Sequence, residues 1–123
     1  MCAPKYQPGV RITTGTLYRR IYPDNGCFQN GKTTSQCFRP KRNDPGLSAH
    51  LAELTSPEEV LAGHPDYGLA EITVEAALAA GFSIIFDPNE GEPGHVMICG
   101  EFPPTKSREL SRSSRVLIPP KIR

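Results

Sequence analysis

The sequence has no tryptophan, and no stretch of it repeats. Its longest apolar run, Phe82-Ser83-Ile84-Ile85-Phe86, falls far short of the ~20 residues that cross a bilayer, so a membrane-spanning helix is not expected. The start, Met1-Cys2-Ala3-Pro4-Lys5, has no apolar stretch behind its charge and does not read as a secretory signal. Cys2, Cys27, Cys37 and Cys99 form no CxxC pair and keep no zinc-type spacing with a histidine, which sets aside a zinc module. A Cys27–Cys37 disulfide would suit an exported protein; without a signal, four reduced thiols and a cytoplasmic setting are the expectation. Most telling is a gap in one sign of charge: residues 43–104 hold no Lys or Arg at all.

Those same residues carry eleven acids, a local charge of −11. Residues 1–42 stand at +7 and residues 105–123 at +5, so the overall +1 hides a strong segregation. If the basic ends gather on one side, they make a face for a phosphate-bearing or acidic partner. If they wrap the acidic middle, the charges neutralise locally. The second is the expectation, because clustered like charge opposes compaction.

What is present suits one globular domain: 123 residues, 37% hydrophobic and 22% charged. Thirteen prolines and eleven glycines act as punctuation between short elements. Residues 1–9 read as a loose lead-in. Strands are expected at 10–12 and 17–22, and Asn30-Gly31 suits a hairpin turn with arms at 27–29 and 32–34. The alternation of Leu47-Ser48-Ala49-His50-Leu51 predicts a strand with Ser48 and His50 on its polar face. Ser56-Pro57-Glu58-Glu59 is a capping box opening a short helix to Ala62, and Thr73 caps a clearer helix over 74–80. Strands follow at 82–86 and 95–99, joined by an acidic loop. A basic helix is expected over about 105–111 and an edge strand at 115–118. The sum is an α+β domain: a mainly antiparallel sheet of five or six short strands with two or three short helices.

The candidate site residues come from a few polar clusters. Arg39, Lys41 and Arg42, beside the Asp44-Pro45-Gly46 turn, can present guanidinium forks to an anion, with Lys106, Arg108 and Arg112 of the tail as further bases. A solvated charged turn leading into a strand explains the same residues. His95, at the start of an apolar strand beside the loop acids Asp87, Glu90 and Glu92, is placed to act as acid, base or ligand; Asp44 is its candidate helper. Ser48 and His50 share a strand face, but neighbours two apart on a strand are poorly set for proton transfer, and no GxSxG elbow is present. They read as polar outer face, or as a histidine bonded to a backbone carbonyl. Tyr18, Arg19, Arg20 and Tyr22 interleave rings with bases, a pattern that also clamps single-stranded nucleic acid, though an ordinary strand looks the same. His50, His64 and His95 lack metal-type spacing. Neither a metal site nor a cofactor is expected.

The series Phe38-Arg39-Pro40, Asp44, Gly46-Leu47-Ser48 and His95-Val96-Met97-Ile98-Cys99-Gly100 resembles a pattern in small bacterial proteins of no assigned activity, over residues 35–100. That resemblance implies no catalytic role. Leu17-Tyr18-Arg19 is similar to the first strand of RES-type NAD-consuming toxins, whose Arg–Glu–Ser series is not matched in the rest of the chain. The expectation is therefore a bacterial binding or accessory module rather than an enzyme, with a basic surface for an anion, a nucleic acid or a protein partner. The alternatives are a small toxin-type enzyme acting on a nucleotide or NAD, and a homo-oligomer paired through its edge strands.

Overall fold

A computed structural model describes residues 7–122. Most of the lead-in expected over 1–9, and the Cys2 thiol, lie outside the described residues. The chain lays down β1 (Thr16–Ile21), the small ribbon β2 (Phe28–Gln29) and β3 (Lys32–Thr33), and a single turn of 3-10 helix at Ser35–Phe38. Then come β4 (Leu47–Leu51), α1 (Pro57–Val60), β5 (Gly68–Thr73), α2 (Val74–Ala79), β6 (Ser83–Phe86), β7 (His95–Cys99), α3 (Pro104–Ser113) and β8 (Arg115–Ile118). Six of the strands form one sheet in the order β6-β7-β4-β1-β5-β8, and every pairing is antiparallel. The α+β class and the antiparallel sheet follow the pattern in the sequence.

Local chemistry sets the boundaries. The Ser56 hydroxyl accepts from the Glu59 amide with Pro57 at the first helical position, and Thr73 accepts from the Ala76 amide, so each helix starts on a satisfied cap. Asn30 and Gly31 both take positive φ, as the tight turn between β2 and β3 requires. The expected strand at 10–12 is corrected: Arg11 makes only an isolated bridge to Ile85, although Val10 and Ile12 exchange backbone hydrogen bonds with β6. Pro8-Gly9 and Thr13 onward bend the segment away before a ladder develops. The helix expected to run to Ala62 ends its regular turn at Val60.

The inward face of the sheet, with Leu17, Ile21, Leu47, Ala49, Leu51, Ile72, Ile84 and Ile98, is buried against Val74 and Ala77 of α2, Leu110 of α3, and Cys37 and Phe38 of the 3-10 turn. Period-2 alternation then sends Tyr18, Arg20, Ser48, His50 and His95 to the other face. That second face is crossed by α1 and by the loop at 87–94: Arg20 Nε donates to the Val60 carbonyl, and its Nη2 lies 3.3 Å from Glu92 Oε1. Among the described residues no helix is long and apolar enough to cross a membrane.

The charge segregation resolves in part by the expected local neutralisation. Arg115 pairs with Glu71 and Arg20 with Glu92, so basic segments do neutralise the acidic middle at those points. Arg19, Arg20, Arg39 and Lys41 of the first segment gather at one cavity without the bases of the tail.

Candidate functional site

The sheet is not closed along its centre. β1 and β4 pair only at Leu17↔Leu51 and Tyr18↔His50. Beyond Tyr18, β1 continues along β5 to Ile21, while residues Leu47–Ala49 of β4 stay on β7, so the two central strands part. Arg19 crosses the gap. Its Nη1 donates to the Ser48 carbonyl at 2.7 Å and its Nε to the Cys37 carbonyl at 3.1 Å, supplying donors where the ladder has ended. Burial pulls the Arg19 guanidinium below its usual value, with the Cys37 and Tyr22 groups working the other way.

Over this gap lies an open cavity of about 350 Å³. Four cations line it: Arg19, Arg20, Arg39 and Lys41. So do the rings of Tyr22, His64, Tyr67 and His50, with Ser48, Asp44 and Gly46 between them. The rings form a chain, Tyr22 to Tyr67 at 5.3 Å and Tyr67 to His64 at 4.7 Å between centroids, and Lys41 Nζ sits 5.5 Å from the Tyr22 ring centre. Gly46 is required where it stands, because a Cβ there would come within 2.7 Å of the Ile98 carbonyl oxygen. Asn43 takes a positive φ of 75°, which asparagine tolerates, and so turns the chain from Lys41 back into β4.

Of the residues singled out from the sequence, Arg39 and Lys41 line this cavity and Arg42 does not. Arg39 Nη2 reaches the Ser35 hydroxyl at 3.5 Å. Asp44 lines the cavity too, but its carboxylate accepts from the Lys41 amide at 3.2 Å and so closes the turn rather than attending His95. The tail bases are elsewhere: Lys106 Nζ lies over the Phe82 ring, and Arg112 lines a separate groove with Lys32 and Arg115.

His95 lies opposite His50 across β4 and β7, their rings edge to face at 5.7 Å, and both are buried. Ser48 and His50 share the outer face of the sheet as expected, with His50 buried there and Ser48 exposed. Its hydroxyl is 3.1 Å from His95 Nε2, on the diagonal across the strands, while His95 Nδ1 is 2.8 Å from the Asp87 carbonyl oxygen and 3.3 Å from its carboxylate. Glu92 is occupied by Arg20; burial works against its ionisation, but His50, Arg20 and Asn89 outweigh it and hold the carboxyl below the usual range.

The thiols stand apart from this chemistry. Cys27 and Cys37 are buried and unbridged, and burial pushes them up to about 11 and about 12, so neither is a nucleophile near neutral pH.

His50 gives a pH prediction. Burial, with Arg20 beside it, lowers its value from 6.5 to about 4; Glu92 works the other way, and His95 and Arg19 add to the lowering. Between those two values the unfolded chain takes up a proton that the folded protein refuses, so stability falls as the pH drops from 6.5 toward 4. The loss is about 2 kcal/mol after allowing for solvent screening. Urea titrations at pH 7 and pH 4.5 check it: the wild type loses more stability over that interval than His50→Gln, and equal losses would disprove the assignment.

Comparison with family models, curated proteins and solved structures finds no match to the chain.

Proposed function

We propose that the protein is a binding module for a nucleotide-sized phosphate ester, held in the cavity over the β1–β4 gap. The observation that carries this reading is the convergence of Arg19, Arg20, Arg39 and Lys41 on one cavity whose lining also holds the rings of Tyr22, His64 and Tyr67. Guanidinium forks match phosphate oxygens in pairs, and aromatic faces accept a stacked base. Arg19 meets only carbonyl oxygens in its two hydrogen bonds, so a bound anion would meet a charge that those dipoles do not cancel. A volume of about 350 Å³ lies in the range of small-ligand sites. The free thiols of Cys27, Cys37 and Cys99 support a cytoplasmic setting, where such ligands are plentiful.

Thermal shift and calorimetry with ADP and with adenosine test the reading. ADP at a hundred times its dissociation constant adds ~2.7 kcal/mol of stability. Adenosine at the same concentration adds much less, because it lacks the charge that the cations recognise. Arg39→Ala weakens ADP binding about tenfold or more, while Arg42→Ala, outside the cavity, leaves it within about twofold. Equal responses to ADP and adenosine, or no response to millimolar ADP at low salt, would refute the proposal.

A further inference from the structure

The cavity floor carries a second piece of chemistry that anion binding does not use. Ser48 is exposed at the cavity wall, and the buried His95 lies behind it, against Ser48 and His50. A carbonyl oxygen can only accept, so the 2.8 Å contact with the Asp87 carbonyl fixes the His95 ring proton on Nδ1. The Asp87 carboxylate, 3.3 Å from the same nitrogen, is placed to stabilise positive charge on the ring. In the neutral tautomer with that proton, Nε2 turns its lone pair toward the Ser48 hydroxyl at 3.1 Å. Among the described residues that hydroxyl also makes a long contact, 3.9 Å, with the Met97 sulfur.

The order is that of a nucleophile, a base and an orienting carboxylate, assembled here from β4, β7 and the loop between β6 and β7. Its parts lie far apart in sequence, and the β4–β7 register that sets His50 opposite His95 is what brings Ser48 onto the diagonal.

We infer that Ser48 is a catalytic nucleophile, activated by His95 and oriented by Asp87, that acts on a carboxylic ester whose alcohol half bears a phosphate. The substrate class rests on the anion-binding reading of the same cavity. Ser48 Oγ attacks the ester carbonyl carbon and its proton passes to His95 Nε2. The tetrahedral oxyanion develops in a cavity lined by Arg19 and Arg39, whose field favours it. On collapse the carbon–oxygen bond to the phosphate-bearing alcohol breaks, and that alcohol leaves with the proton from His95. Water, deprotonated by His95, then attacks the acyl-serine; the acid is released and the proton returns to Ser48. No oxidant, reductant or metal is needed for this cycle to balance.

The test is covalent labelling of the full chain with a fluorophosphonate, read by intact mass and peptide mapping. One adduct is expected, on Ser48, forming at least about a hundredfold faster than on the partly exposed capping serine Ser56. In His95→Gln the rate falls by about a hundredfold, and in Asp87→Asn by a smaller factor. Ser48→Ala gives no adduct. Circular dichroism and melting curves establish that each variant is folded. If His95→Gln does not fold, the comparison of Ser48 with Ser56 in the wild type decides alone. No adduct, an adduct formed on Ser48 no faster than on Ser56, or a folded His95→Gln that labels at the wild-type rate would each overturn the assignment. ADP separates this proposal from the binding reading. If ADP binds Ser48→Ala as it binds the wild type but the wild type does not label, only the nucleophile is lost. If Ser48 labels and ADP neither binds nor slows the reaction, the nucleophile stands and the phosphate-bearing substrate falls.

Discussion

Phe38→Ala is expected to lower the stability of the protein by about 4 kcal/mol and its melting temperature by about 15 °C. Phe38 is fully buried, and it is the largest side chain the 3-10 turn places in the core. It packs in the same cluster as Leu17, Ile21 and Leu110, where the turn meets α3. Truncation removes the ring and leaves a cavity that a rigid sheet cannot close, so the transfer and cavity terms add. Domains of this size are stable by only ~5–15 kcal/mol, so the variant keeps a modest margin. The loss also reaches the site, because Phe38 anchors the backbone from which Arg39 enters the cavity. Urea denaturation measures the effect, and Phe38→Leu should recover most of it, to within about 1.5 kcal/mol of the wild type. A Phe38→Ala loss below about 1 kcal/mol would mean that the turn does not close this part of the core.

Arg19→Met is the second large effect, expected at about 3 kcal/mol together with loss of ADP binding. Methionine keeps much of the apolar stem but leaves the Cys37 and Ser48 carbonyls without the donors that Arg19 supplies. An acceptor stripped of its partner in a part-buried place costs ~1–3 kcal/mol, and two are stripped here. Release of a desolvated guanidinium offsets part of that sum. Arg19→Lys is informative beside it: one ammonium cannot span two carbonyls as the planar fork does, so it should recover charge but not the full stability. Melting curves and ADP calorimetry on both variants read the two consequences separately. An Arg19→Met protein as stable as the wild type would show that the gap between β1 and β4 does not depend on this residue.

Much of the fold was legible because its punctuation is chemical. The strands at 47–51, 95–99 and 115–118 stand where alternation and flanking turn residues put them, and the Ser56 and Thr73 caps open helices at the positions their hydroxyls dictate. The 3-10 turn Ser35–Phe38 was not legible, since Cys37-Phe38 is a two-residue apolar island inside a polar, basic stretch and has no periodicity to reveal it. The site was half legible. Arg39 and Lys41 stand out by composition, and His95 by its place at a strand start. Arg42 differs from them only in where its backbone turns, which the positive φ of Asn43 decides just afterwards. Ser48 is weighed in the sequence only beside His50, the nearer histidine, whereas the folded chain puts its hydroxyl against His95. Register is the missing quantity: an antiparallel match of 47–50 against 95–98 puts Ser48 diagonal to His95, and nothing local to either strand specifies that match. Arg19 stands out in the sequence with Arg20 and Tyr22 as bases among rings, but its place across the gap does not, since a strand that loses its neighbour halfway is a property of two segments rather than one.

The order β6-β7-β4-β1-β5-β8 also bears on how the chain reaches its native state. The first strand made is central, and its neighbours β4 and β5 follow only after long intervals. β4 in turn waits for β7, through Leu47↔Ile98, and β5 waits for β8, through Leu69↔Ile118. The half β1-β5-β8 joins early, middle and late segments, while the half β6-β7-β4 comes from residues 47–99. High contact order of this kind slows folding, because loops must close before their contacts repay the lost entropy. Helices of four to ten residues and a ribbon with two-residue arms do not hold alone, so during synthesis the fold waits until the edge strand β8 has left the ribosome.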